Sequence, residues 1–310
     1  MLLNELLGLH IEITNLCTLK CAGCARTQFI EQWPSHWKNH SLTVDILTKF
    51  LDINLNGKII TLCGNTGDCI YHPKFHSFLE YFKKNGAHLR IVSNGSYRSK
   101  TWWEQTASYL DKDDTFVFSI DGLPENFTQY RTNADWNSIA IGIETMVNSM
   151  AKTIWKYIPL GFNEGNIDQA KELSAELGID VFHIEKSNRF DDNNIHRYEL
   201  KQFKPVDGSL IDLRLKKHEQ WINNNRDFGV NPSCADQKSH FISADGFYSP
   251  CCFVADYRWY YKTIFGKQKK QYSIVDYTIS ELFQKKEFVE FYKDINNNPI
   301  CQFNCPTTQG

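Results

Sequence analysis

The sequence predicts an α/β fold: a partial (β/α)6 barrel followed by a small, cysteine-rich C-terminal domain. Three observations predict it. Strand-like and helix-like runs alternate over about the first 185 residues, which implies parallel strands with right-handed crossovers. The polar motifs stand at the C-terminal ends of several of these strands, where such barrels place their chemistry, and no G-x-G-x-x-G follows the first strand. Five of the ten cysteines fall between residues 226 and 310, a stretch with too few periodic apolar runs for a large core, as in metal-stapled domains.

In chain order, GLHIEIT (8–14) reads as a strand leading into a cysteine-rich turn. LTVDILTKFLD places Val44, Leu47 and Leu51 at helical spacing, with Ser41 and Thr43 as candidate caps. KIITLCG (58–64) is a buried-strand run ending in glycine, and FHSFLEYFKKNG (75–86) a helix closed by Gly86. HLRIVSNG (88–95) is a strand entering a turn, TWWEQTASYL (101–110) a helix, and DTFVFSIDG (114–122) a strand ending in a tight turn. WNSIAIGIETMVNSM and TIWKYIPLGF repeat the helix–strand pair. In NIDQAKELSAELG, Asn166 caps a helix whose stripe is Ile167, Ala170, Leu173 and Leu177, and IDVFHIEKS follows as the sixth strand. The expected domains are a barrel over 1–190, a linker and helix over 191–225, and an auxiliary domain over 226–310. Within that scheme NRFDDNNIHRYELKQFKPVDG (188–208) reads as linker and SLIDLRLKKHEQWINNN (209–225) as a helix.

With 310 residues the chain is long enough to bury a real core, and a net charge of −2 gives no global field for nucleic acid or membrane. The one compact basic run, KTIFGKQKKQ (262–271), reads as a solvated loop. No apolar run approaches the ~20 residues of a membrane span. The opening MLLNELLGL lacks a basic n-region and carries Glu5, so it does not read as a signal peptide. A cytoplasmic location is therefore expected, where ten cysteines are metal ligands, reactive thiols or core fillers rather than disulfides.

NLCTLKCAGCAR (15–26) sets Cys17, Cys21 and Cys24 in a C-x3-C-x2-C pattern. Structural zinc takes four protein ligands, usually as paired C-x2-C or H-x3-H groups, and fits poorly. An iron–sulfur cubane also takes four thiolates, so three leave one iron open. The triplet after an N-terminal strand resembles the signature of the radical S-adenosylmethionine (SAM) enzymes. That resemblance implies a radical SAM barrel over about residues 8–185. It also implies a [4Fe-4S] cluster whose open iron is chelated by SAM, and reductive cleavage of SAM to methionine and a 5′-deoxyadenosyl radical that abstracts hydrogen from a substrate.

Further motifs fit the resemblance. TGDCIYHP (66–73) aligns with the family's G-G-E-P loop, with Gly67 and Asp68 in the Gly-Glu places, Thr66 replacing the first Gly and Cys69 the Pro. Backbone groups of this loop would meet the SAM ammonium. Cys69 reads as a substitution within the loop, since a fourth thiolate would block SAM. SNG, with Ser93 and Asn94, resembles the motif near the ribose and methionyl part. SIDG (119–122), followed by Tyr130-Arg131, resembles a motif of peptide-modifying members. By that resemblance Ser119 and Arg131 hold the SAM carboxylate, and Asp121 orders the turn or reaches the substrate.

In the tail, Cys234, Gly246 and Cys251 form C-x11-G-x4-C, and Cys301 and Cys305 form C-x3-C. The first piece resembles the opening of a SPASM domain. The cysteine count is that of its shorter twitch form, implying one auxiliary [4Fe-4S] cluster on Cys234, Cys251, Cys301 and Cys305. Cys252 could replace Cys251, and zinc could occupy the same thiols. Cys63 reads as a buried thiol and His183 as a core or cleft histidine, with Glu185 and Lys186 as weak substrate contacts. The expected substrate is a peptide, with a small sugar-like or nucleotide molecule as the alternative. A flavodoxin or ferredoxin is the expected electron donor. A non-catalytic iron–sulfur or zinc protein is the rival reading, and it would not need the TGDCIYHP, SNG and SIDG loops. No leader-peptide-binding segment is visible before the first strand, which weighs against the peptide.

Overall fold

The computed structural model describes residues 3–187, 190, 198–211, 238–256 and 260–305. Six strands run parallel in simple order: β1 (Gly8–Ile11), β2 (Ile59–Leu62), β3 (His88–Ser93), β4 (Thr115–Ser119), β5 (Lys152–Tyr157) and β6 (Val181–Ile184). Helices α1 (Ala25–Gln32) and α2 (Val44–Phe50) lie between β1 and β2; α3 (Phe75–Lys84), α4 (Lys100–Tyr109), α5 (Trp136–Val147) and α6 (Ile167–Glu176) follow the next four strands. The sheet is open, so the expected partial barrel is borne out.

Strand alternation sorts the two faces. Leu9 and Ile11 align through Ile60, Leu62, Ile91, Phe116, Phe118 and Trp155 into one buried layer under the helices. Trp103 of α4 packs on Phe116 and Phe118, with ring centroids 5.3 and 5.8 Å apart. The other face carries the polar set: His10 in register with Thr61 and Arg90, and Ser119 with Lys156 and His183.

Caps follow the local chemistry. Thr43, not Ser41, caps α2 by accepting from the Ile46 N–H at 3.3 Å. Asn166 stands at the α6 N-cap without a side-chain cap bond, because its amide is engaged with Asn126 and Gln169.

Two features of the C-terminal half depart from expectation. Strand β7 (Ser239–Ile242) pairs parallel with the free edge of β1, and β8 (Tyr248–Ser249) pairs antiparallel with β7, so the tail extends the barrel sheet. Its helices Ile279–Phe283 and Lys286–Lys293 stack Phe283, Phe288 and Tyr292 on buried His240, and the barrel core continues into the tail without a break. The basic run is not a loop: it forms short helical turns in which Lys269 Nζ lies 2.6 Å from Asp245 and 4.1 Å from the Phe247 ring centroid. Within the stretch read as linker, α7 (Tyr198–Lys201) adds a turn of helix, and Phe203 accepts from the Gly161 N–H at 2.9 Å. The helix expected over 209–225 lies almost wholly outside the described residues. Among the described residues no helix is long and apolar enough to cross a membrane.

Candidate functional site at the C-terminal ends of the strands

The loop after β1 carries the first three cysteines, and Cys24 is the N-cap residue of α1. The loop rests on a small apolar cluster of Tyr130, Leu160, Leu200 and Phe203, against which Cys21 and Ala22 pack. Backbone bonds hold it at both ends: Lys20 N–H donates to Thr132 O at 3.0 Å, and Asp68 N–H to Leu16 O at 2.9 Å. Burial first, then the nearby charges of Asp68, Cys21 and Cys24, pushes the Cys17 thiol far above the usual range. Such thiols ionise when a cationic centre binds them, which is the chemistry a metal cluster requires. As they stand, no three His, Cys, Asp or Glu side chains among the described residues are gathered tightly enough to hold a metal ion. The three thiols share one loop, and a [4Fe-4S] cluster takes one thiolate at each iron rather than three on a single ion.

The loop after β2 packs directly on the end of β1. A Cβ on Gly67 would stand 2.1 Å from Thr14 O and 2.5 Å from Asn15 Cα, so only glycine fits. Asp68 then braces this loop to the next one. One carboxylate oxygen accepts from the Ile70 N–H (3.2 Å). The other accepts from Ser93 Oγ (3.1 Å), Asn94 N–H (2.7 Å) and Asn94 Nδ2 (2.5 Å). Burial raises the Asp68 pKa against these donors. Ser93 and Asn94 are buried in this brace. Gly95 closes that turn at φ +75°. Asn94 Nδ2 also stands 3.8 Å from Cys17 Sγ, and Tyr71 OH bridges Asn94 Oδ1 (3.2 Å) and Thr18 Oγ1 (2.8 Å). The loops after β1, β2 and β3 are thus one hydrogen-bonded unit.

Ser119 ends β4. Beyond it, Asp121 is fully buried, accepts from the Ile158 N–H at 3.0 Å and pairs with the Arg131 guanidinium at 2.8 Å. Cys69 is a core residue with its thiol toward Val92 O. His72 Nε2–H donates to Leu42 O at 2.9 Å while Nδ1 accepts from Lys74 N–H, so it anchors the loop. His183 shares the polar face with Lys156, is half exposed and lies 3.2 Å from Glu185.

In the tail, Cys251 follows β8, and Cys301 and Cys305 sit in and at the end of the helix Pro299–Asn304. Burial, with the charges of Cys251 and Cys305, raises the Cys301 thiol. Burial likewise raises Cys252, which lies within range of Cys251, Cys63 and Cys305. Cys63, on the polar face at the end of β2, is pushed up to about 11 by burial. Cys234 lies outside the described residues.

Sequence reasoning missed Glu12. This buried side chain accepts from Thr66 N–H (2.6 Å), Thr66 Oγ1 (2.9 Å) and Gly67 N–H (2.9 Å), and so carries the loop after β2. Its signal was present: His10, Glu12 and Thr14 alternate along a strand whose other face is apolar. A cleft of about 260 Å³ opens beside Glu12 and Thr66, walled by Phe29, Trp37, Phe247, Tyr260 and Lys269.

Residues 234–306 match the SPASM iron–sulfur cluster-binding domain family. The chain is 23% identical over 296 residues to the tungsten-containing aldehyde ferredoxin oxidoreductase cofactor-modifying protein of Pyrococcus furiosus, spanning 84% of this chain and 75% of that one. The fold is similar to that of Streptococcus suis SuiB bound to precursor peptide SuiA, with a TM-score of 0.60 and 14% identity over 94% of this chain and 67% of SuiB. It is also similar to native anSMEcpe with bound AdoMet and Kp18Cys peptide, with a TM-score of 0.58 and 16% identity over 92% of this chain and 82% of that one.

Proposed function

We propose, from the premise that this chain is a radical SAM family member carrying a SPASM iron–sulfur domain, that it reductively cleaves SAM and abstracts hydrogen from a peptide. The observation that carries the reading is the convergence of the three-cysteine loop, the Gly67–Asp68 loop and the Ser93–Asn94 turn into one braced unit at one end of a parallel sheet. When bound, a [4Fe-4S] cluster supplies the electron that cleaves SAM to methionine and the hydrogen-abstracting 5′-deoxyadenosyl radical.

Cys17, Cys21 and Cys24 would hold the cluster and leave it open to SAM. Ser119, with Arg131, which pairs with Asp121 at 2.8 Å, would bind the SAM carboxylate. Ser93, Asn94 and Asp68 act by holding the loops rather than by exposing side chains. Cys234, Cys251, Cys301 and Cys305 hold the auxiliary [4Fe-4S] cluster, with Cys252 as the competing ligand. A flavodoxin or ferredoxin supplies the electron.

The peptide reading leans on two proteins of similar fold, SuiB and anSMEcpe, each with a bound peptide. A small-molecule substrate is the second reading, favoured by the cofactor-modifying relative. Cys→Ala at 17, 21 or 24 should each abolish 5′-deoxyadenosine formation from SAM and dithionite. Undiminished formation in any one of them overturns the assignment. About eight irons per chain after anaerobic reconstitution fit two cubanes, whereas about four irons without cleavage fit a non-catalytic iron–sulfur protein.

A further inference from the structure

We propose that Glu12 is a positioning residue for the SAM-facing loop, set where that loop meets the C-terminal segment. The inference rests on the proposed function. It extends it from the expected ligands to a side chain that touches none of them.

Glu12 lies on the polar face of β1 and is 5% exposed. One of its oxygens takes both backbone N–H groups of the loop, Thr66 at 2.6 Å and Gly67 at 2.9 Å, together with Thr66 Oγ1 at 2.9 Å. In a trans peptide the carbonyl of the preceding residue points opposite to the N–H. With both N–H groups on Glu12, the Asn65 and Thr66 carbonyls face away from it, oriented as acceptors for an ammonium. The Glu12 backbone N–H donates to Ile242 O at 2.9 Å, so the strand that carries this carboxylate is paired with β7. Asn65 Nδ2 adds a second tie, donating to Cys252 O at 2.9 Å. One wall of the SAM loop is therefore hydrogen-bonded to the segment that precedes and includes the C-terminal cysteine pair. A carboxylate suits this place because it accepts several donors at once, and charge-assisted bonds are the strong ones.

The test uses the full chain. SAM dissociation constants of the anaerobically reconstituted protein are compared for wild type, Glu12→Gln and Glu12→Ala, alongside amide exchange of residues 64–68 in the cluster-free protein. Glu12→Ala should weaken SAM binding about tenfold or more, and Glu12→Gln, which keeps an acceptor oxygen, should recover most of it. The KM for SAM should rise while kcat at saturating SAM changes little, and the amides of Thr66 and Gly67 should lose protection together. Wild-type-like SAM affinity in Glu12→Ala overturns the positioning role. Unchanged exchange at 66 and 67 in Glu12→Ala likewise overturns it. If wild type itself does not bind SAM, the proposed function falls and the exchange result alone decides whether Glu12 holds the loop.

Discussion

Replacing Asp68 tests whether the three loops are one unit. Asp68→Ala removes the shared acceptor of Ile70 N–H, Ser93 Oγ, Asn94 N–H and Asn94 Nδ2 in a site sealed from water. Breaking such a buried charged network costs about 3–5 kcal/mol. Asp68→Asn can keep its oxygen where three of the four donors meet and present its amide nitrogen to Ile70, so it loses one bond and the charge, about 1–2 kcal/mol. At roughly 2 °C per kcal/mol for a chain of this size, Ala should lower the melting temperature by about 6–10 °C and Asn by about 2–4 °C. Because Asn94 Nδ2 stands 3.8 Å from Cys17 Sγ, the loosened brace should also speed alkylation of Cys17 in the cluster-free protein, more in Ala than in Asn. Scanning calorimetry and timed iodoacetamide labelling read both effects. Equal shifts for the two variants, or a shift under about 1 °C for Ala, would refute the shared-acceptor account.

Gly67→Ala should destabilise by about 3 kcal/mol or more and weaken SAM binding, since its Cβ would meet Thr14 O at 2.1 Å with backbone on both sides; calorimetry and equilibrium dialysis check this. His240, stacked among aromatic rings, has its pKa lowered by burial from 6.5 to about 3, so the folded chain binds fewer protons than the unfolded one. Its contribution, about 5 kcal/mol, is fully present above pH ~6.5 and is lost as pH falls toward 3. Urea unfolding between pH 7 and 4 should therefore show a shallower pH slope in His240→Phe than in wild type, and an unchanged slope would count against it. His10, lowered to about 4 chiefly by burial, adds to the wild-type slope with the same sign.

Much of the fold was legible because it is written in short periods. Alternation along DTFVFS and the 3.6-residue stripe of FHSFLEYFKK each set one element, and the order of elements then dictates a parallel sheet. The closeness of Cys17, Cys21 and Cys24 was legible because the three share one short stretch of chain. The brace was not. Asp68 meets Asn94 across 26 residues, Glu12 meets Thr66 across 54, and Asn65 reaches Cys252 across 187. No local pattern records which loop end will stand beside which.

By itself the sequence determined the secondary-structure rhythm, the thiol sets and the loops that must carry the chemistry, because these depend on near neighbours and residue type. The tertiary structure alone decided that β7 would complete the free edge of β1. It also decided that Asp121 would hold Arg131, and that the buried Glu12 carboxylate would carry the loop after β2. Edge pairing and buried polar satisfaction are settled only when distant segments are brought together and every desolvated donor must find an acceptor.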